Sequence, residues 1–164
     1  MRAMMVDAAS RRALGLAIAV PALLWGGAAL IAQRVFGLPP CEMCMWQRWP
    51  HMAALALALL AFMLRNQPVS RLLVWLAALA IAVSGVIGIY HAGVEYGWWE
   101  GLTRCATLPG ASGGDFMKDI MSKPLVRCDV AAWTFAGISL AGFNAIFSLG
   151  SAAVIATLLM RRKP

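Results

Sequence analysis

Four cysteines carry the most distinctive chemistry in this 164-residue chain: Cys41, Cys44, Cys105 and Cys128. Cys41-Glu42-Met43-Cys44 forms a C-x-x-C, and Cys105 and Cys128 bracket about two dozen residues. A structural zinc site usually draws its ligands from two close pairs, whereas Cys105 and Cys128 are far apart in sequence. Haem attachment requires C-x-x-C-H, and Met45 follows Cys44. Two structural disulfides are a third reading, in which a bridge closing the Cys105–Cys128 loop would contribute about 3 kcal/mol. A C-x-x-C ring encloses too little chain to stabilise in that way, and such short rings tend to be redox-active. Structural, metal-binding and redox readings of Cys41 and Cys44 all stay open on spacing alone, with redox the best supported.

The flanking residues add to the redox reading. Pro39-Pro40 precede Cys41 and suit a helix that starts there. Cys41 and Cys44 then sit by unpaired N–H groups at the positive end of the helix dipole, which favours a thiolate. Arg48 follows Cys44 by four residues and shares its face one turn deeper. Its guanidinium would stabilise a thiolate and could bind a carbonyl oxygen of a ligand; the plainer reading is an arginine anchored at a membrane surface. Pro50 lies close enough to bend this helix.

The elements that must position these residues are membrane spans. The chain is 62% hydrophobic and 13% charged, against about half apolar and about a quarter charged in soluble domains. That excludes a water-soluble enzyme, a secreted disulfide scaffold and a disordered tail. Four apolar segments stand out: Ala13 to Gln33, Met45 to Leu64, Leu72 to Tyr90 and Ala131 to Met160. The first would reach about 31 Å as a helix, enough to cross a bilayer core. Backbone groups cannot stay unpaired in lipid, so each segment is expected to be a helix. The fold class is therefore an all-α membrane protein, a four-transmembrane-helix up-down bundle in one domain spanning 1–164. Arg2, Arg11 and Arg12 ahead of the first span resemble a signal peptide, but the apolar run is longer than a signal core, so the segment is expected to be retained.

Eight Lys and Arg lie before span one, between spans two and three, and after span four, with only Asp7 among them. The other face holds six Lys and Arg together with six acids, so the whole net charge of +7 belongs to one side. The positive-inside rule then places both termini in the cytoplasm and all four cysteines outside. The basic residues are thereby explained by orientation, and nucleic acid is not a partner. Two segments face outward, about 34–44 and about 91–130. The longer one is too long for a tight connection and is expected to have a task. It contains a Pro/Gly/Ser-rich middle, Leu108 to Gly114, and an amphipathic stretch, Asp115 to Lys123, that reads as a short interfacial helix. Trp98 and Trp99 suit the headgroup region just past span three.

The stretch Pro40-Cys41-Glu42-Met43-Cys44-Met45-Trp46-Gln47-Arg48, the four-span layout and the second cysteine pair in the last outer loop resemble the DsbB family, across nearly the whole chain. Tyr90-His91-Ala92-Gly93, Trp98-Trp99, and Cys128 followed by Trp133 are similar to members with a compact outer loop. The resemblance implies a bacterial inner-membrane oxidoreductase that reoxidises a periplasmic thioredoxin-fold thiol oxidant of the DsbA type. It further implies that the partner attacks Cys105 of a Cys105–Cys128 disulfide, that Cys128 attacks Cys41, and that Cys44 beside Arg48 passes two electrons to ubiquinone or menaquinone. His91 has two readings, an interfacial histidine making one backbone bond or a neighbour of the quinone head; His51 reads as structural.

Other classes remain to be weighed. A small proton-coupled transporter needs an ionisable group inside a span, and none of the acids falls within the four segments. A non-catalytic membrane assembly factor needs no thiolate near a quinone. A vitamin-K-epoxide-reductase-like protein does related chemistry but places its C-x-x-C late in the chain, the reverse of the order here. Gly85/Gly88 and Gly137/Ala141 read as close helix-packing positions.

Overall fold

The computed structural model describes residues 8–102 and 127–161. It is an all-helical membrane architecture with one small hairpin. Helix α1 (Ala8–Pro21) continues without a break into a π-wound stretch, Ala22–Ala29, and then α2 (Leu30–Arg34). A proline inside a helix lacks an N–H and crowds the carbonyl one turn back, and the winding widens immediately after Pro21. Helix α3 (Glu42–Met63) carries the C-x-x-C, and α4 (Val69–Glu95) follows a tight link. Strands β1 (Thr134–Phe135) and β2 (Ile138–Ser139) pair antiparallel and lead directly into α5 (Leu140–Met160).

Among the described residues, three helical rods are long and apolar enough to cross a membrane: Ala8–Arg34, Val69–Glu95 and Leu140–Met160. Helix α3 has 22 residues, but Gln47, Arg48, Pro50 and His51 occupy its first half. It is continuously apolar only from Met52 to Met63.

Helix α4 packs against both α3 and α5. The core it shares with them and with α1 is rich in alanine, including Ala13, Ala17, Ala54, Ala58, Ala61 and Ala77. Small side chains let helix backbones approach closely where lipid offers no hydrophobic driving force. Gly85 and Gly88 do the same on α4: a Cβ on Gly85 would lie 2.8 Å from Leu149, and one on Gly88 would lie 3.0 Å from the Ala141 carbonyl oxygen. Large apolar side chains such as Leu79, Val86, Ile146 and Phe147 point outward, as a lipid-facing surface requires.

The C-x-x-C helix starts at Glu42 with Cys41 as its N-cap, where the Pro-Pro entry predicts it, three residues ahead of the apolar span expected from Met45. Two other boundaries differ from the sequence expectation, each for a local reason. Helix α4 runs five residues beyond Tyr90, which brings His91 and Glu95 into the helix instead of the outer loop. Its end is set by Gly97, whose φ of +70° lets Trp98 N–H reach the Gly93 carbonyl at 2.8 Å and Gly97 N–H reach that of Val94 at 3.1 Å. The last helix begins at Leu140 instead of Ala131, because Ala136 and Gly137 adopt positive φ of 50° and 78° and turn the chain into a hairpin. Ser139 then caps α5, its hydroxyl oxygen accepting from Gly142 N–H at 3.1 Å. Gly137 is therefore a turn residue, and the packing pair expected of it with Ala141 is not formed. The interfacial helix expected at Asp115 to Lys123 lies outside the described residues, as does Cys105.

Candidate functional site

Cys41 is the N-cap of α3, in extended conformation with φ −75° and ψ 173°, and its sulfur accepts a hydrogen bond from Cys44 N–H at 3.2 Å. The two sulfurs lie 2.7 Å apart, Cys41 buried and Cys44 half-buried. The pair sits ahead of the apolar part of the helix. Cys41 is raised far above an ordinary thiol, first because it donates to Cys44, then by burial and by the charge on Cys44. Cys44 is lowered, first by that same hydrogen bond and least by the Arg48 guanidinium, against burial and the nearby Glu95. These opposite shifts favour the thiolate on Cys44 over Cys41.

His91 stands across from this pair on α4. Its Nε2 is 3.5 Å from Cys41 Sγ and 3.6 Å from Glu95 Oε1, and its Nδ1 is 2.7 Å from Gln47 Nε2. Gln47 and His51 fall one turn apart on α3, Ser84 and His91 two turns apart on α4, and Asn144 and Ser148 one turn apart on α5. Those three faces meet in a polar band inside the apolar bundle. Asn144 Nδ2 donates to Gln47 Oε1 at 2.8 Å and to Ser84 Oγ at 3.1 Å, while Ser84 donates to the Gln47 carbonyl at 2.8 Å. His51 Nε2 meets Asn144 Oδ1 at 3.0 Å, and His51 also lines the cleft that opens beside Cys44.

The segment after α4 folds back over the site. Trp99 stacks on Tyr90 with ring centres 5.9 Å apart and donates its indole N–H to the Tyr90 carbonyl at 2.9 Å. Gly93 is required below it, since a Cβ there would lie 2.1 Å from the Trp99 ring. Tyr96 ties the hairpin to α4: its hydroxyl donates to the Gly137 carbonyl at 2.9 Å and accepts from Ser139 N–H at 2.8 Å. Cys128 is buried in a small cluster with Cys41, Met43 and Val94. Thus Cys41, Cys44, His91 and Cys128 come together.

A cleft of about 400 Å³ opens on the other side of Cys44. Leu24, Trp25, Phe143 and Phe147 form apolar walls, and Cys44, Arg48, His91 and Asn144 contribute polar ones. The π-wound stretch supplies Leu24, Trp25, Ala28 and Ala29, and such widened turns are frequent at functional sites. Arg48 lines the cleft and donates to Gln33 Oε1 at 2.9 Å, which fixes the guanidinium without neutralising it. The size and lining fit a flat apolar ring that bears carbonyl oxygens.

Sequence reasoning missed Gln47, Ser84 and Asn144, and left Glu95 in a loop. The available signal was a carboxamide in the middle of an otherwise apolar span, where polar side chains are seldom placed without partners.

No solved structure matches the chain. An uncharacterised protein of Rickettsia prowazekii (strain Madrid E) is 25% identical over 125 residues, covering 74% of this chain and 72% of that protein. The family described as disulfide bond formation protein DsbB matches residues 10–158. That match takes in the thiol pair, the polar band and the cleft, and the chain belongs to the DsbB family of membrane disulfide oxidoreductases.

Proposed function

We propose that this protein takes two electrons from a periplasmic thioredoxin-fold thiol oxidant of the DsbA type and passes them to a membrane quinone, ubiquinone or menaquinone. One observation carries the reading: Cys44 opens on the apolar cleft beside Arg48, while Cys41 is buried in one cluster with Cys128. The pair stands between an outer cysteine and a lipid-side pocket.

The topology of this reading is four crossings, with α3 as the second and its polar half sheltered among α4, α5 and the first rod. Both termini are cytoplasmic and the cysteines periplasmic, in an inner bacterial membrane, as the one-sided excess of Lys and Arg supports.

A thiolate of the partner attacks Cys105 Sγ, the Cys105–Cys128 bond breaks, and Cys128 leaves as a thiolate. Cys128 attacks Cys41, and Cys44 leaves as the thiolate its surroundings already favour. The partner's second thiolate then attacks the partner's own sulfur in the mixed disulfide, Cys105 leaves as a thiolate, and the partner departs with its disulfide restored. The freed Cys105 attacks Cys128, restoring their bridge and leaving Cys41 and Cys44 reduced. A bound quinone supplies the two-electron acceptor. Arg48 holds charge at the cleft wall, and His91 is near enough to move a proton at Cys41 Sγ before Cys41 closes again on Cys44.

Anaerobic mixing of the purified chain with a reduced periplasmic thiol partner and a soluble quinone tests this directly. Quinone absorbance should fall in proportion to partner thiol consumed. No loss with any such partner would leave a membrane protein whose disulfides are only structural.

A further inference from the structure

Reducing a quinone to a quinol takes two protons as well as two electrons, and a thiol pair held as Cys41 thiol and Cys44 thiolate carries one proton. The titratable side chains lining the cleft, among the described residues, are Cys44, Arg48, His51, His91 and Glu95. An arginine does not give up its proton. Hydrogen bonds fix both histidines. Gln47 Nε2 donates to the Met43 carbonyl at 3.2 Å, which orients the carboxamide, and to His91 Nδ1 at 2.7 Å. His91 is therefore a neutral ring with its proton on Nε2. Asn144 Nδ2 donates to Gln47 Oε1 and to the Ser84 carbonyl, so Asn144 Oδ1 accepts from His51 Nε2. His51 Nδ1 has no partner among the described residues that a second N–H could reach. Neither ring has a proton to spare.

Glu95 is left. Its side chain is 6% exposed, and its Oε1 faces His91 Nε2 at 3.6 Å. The Ser139 hydroxyl is within hydrogen-bonding reach of the carboxyl, and Oε2 has no partner among the described residues. No Lys or Arg pairs with Glu95 among those residues. A buried carboxylate without a counter-ion is costly, whereas a carboxylic acid is neutral there and has an O–H to donate.

We propose that Glu95 is a catalytic acid of the cleft, a buried carboxylic acid that gives the second proton to a carbonyl oxygen of the bound quinone. This rests on the electron-transfer reading above and adds a residue to it. Cys41 and Cys44 close their S–S bond and release two electrons, and the Cys41 S–H and Glu95 O–H bonds break. Both protons pass to the oxygens of the acceptor, which leaves as quinol, and the negative charge passes from Cys44 to Glu95. Glu95, the last residue of α4, then regains a proton from water at that end of the helix.

Dicyclohexylcarbodiimide couples to protonated carboxyls in apolar surroundings. Peptide mapping of the oxidised natural chain treated at neutral pH should find the adduct on Glu95. A short-chain ubiquinone should protect it, with the bound amount measured by equilibrium dialysis of the same samples. Bound quinone with Glu95 unprotected, or no adduct at Glu95, overturns the assignment and leaves the electron-transfer reading standing; no bound quinone overturns both. A second measurement uses Glu95→Gln, which keeps the size and a donor but holds no transferable proton. In a Cys105→Ser/Cys128→Ser background with the remaining pair reduced beforehand, single-turnover oxidation by the same quinone should slow by about a hundredfold. Quinone binding should be unchanged, and Glu95→Asp should be intermediate in rate. Equal rates in Glu95→Gln and the Glu95 chain overturn the assignment, even where both reduce quinone.

Discussion

Two cysteines three residues apart on one helix end acquire opposite characters because their sulfurs are in direct contact, which raises Cys41 and lowers Cys44. Cys41 donates to Cys44, and that single contact contributes more to the charge on Cys44 than Arg48 does. The sign of the pH dependence follows. Cys44 is lowered, so its thiolate persists as pH falls until the lowered value is crossed, and alkylation slows only there. Cys41→Ala removes the larger cause and should move the Cys44 alkylation profile to higher pH further than Arg48→Met does. Arg48→Lys should fall between Arg48→Met and the natural residue, since it keeps the charge and loses the planar fork. Rates measured against pH by mass spectrometry, each in a Cys105→Ser/Cys128→Ser background, decide this. An unchanged profile in Arg48→Met would reduce Arg48 to an interfacial anchor. In Cys41→Ser, added quinone should produce a visible thiolate-to-quinone absorption that Arg48→Met weakens.

At the scale of the elements, the site depends on how closely α4 and α5 approach. Gly88 faces the backbone of Ala141 and Ala145, and Asn144 enters the polar band from that same turn of α5. Backbone cannot swing aside as a side chain can, so Gly88→Leu must push α5 away, at about 1–3 kcal/mol. Gly150, with open space where a Cβ would lie, is the matched control. Thermal unfolding in detergent should show a clear loss for Gly88→Leu and little change for Gly150→Leu; equal effects would mean that the helices adjust freely. Tyr96→Phe probes the hairpin in the same assay. It deprives Ser139 N–H and the Gly137 carbonyl of their shared partner and should cost about 1–2 kcal/mol.

For the whole molecule, the proposed relay requires every cysteine on one side of the membrane. Impermeant maleimide applied to reduced, intact spheroplasts should label the outer cysteines. Labelling only after the membrane is opened would defeat the topology and the relay with it. A thiol partner lacking its second cysteine cannot resolve its mixed disulfide and should remain attached. Peptide mapping of that adduct should find Cys105; attachment at Cys41 would mean that the two cysteine pairs act independently.

The sequence by itself determined the membrane class, the helix start at the C-x-x-C and the one-sided distribution of charge. Those properties are local or summed: apolar run length, a Pro-Pro entry and a count of Lys and Arg. The end of α4 and the start of α5 were less legible, because they are set by backbone conformation at Gly97 and at Ala136-Gly137. Only the tertiary structure decided which polar side chains work together. Gln47, Ser84, His91 and Asn144 lie on three helices, with Gln47 and Asn144 97 positions apart. A polar residue in an apolar span must find a partner. Its own position says nothing about which helix supplies that partner, since helix rotation and the closeness allowed by Gly85, Gly88 and the alanine core choose it. The same packing carried Glu95 from an expected surface loop to a buried place 3.6 Å from His91 Nε2.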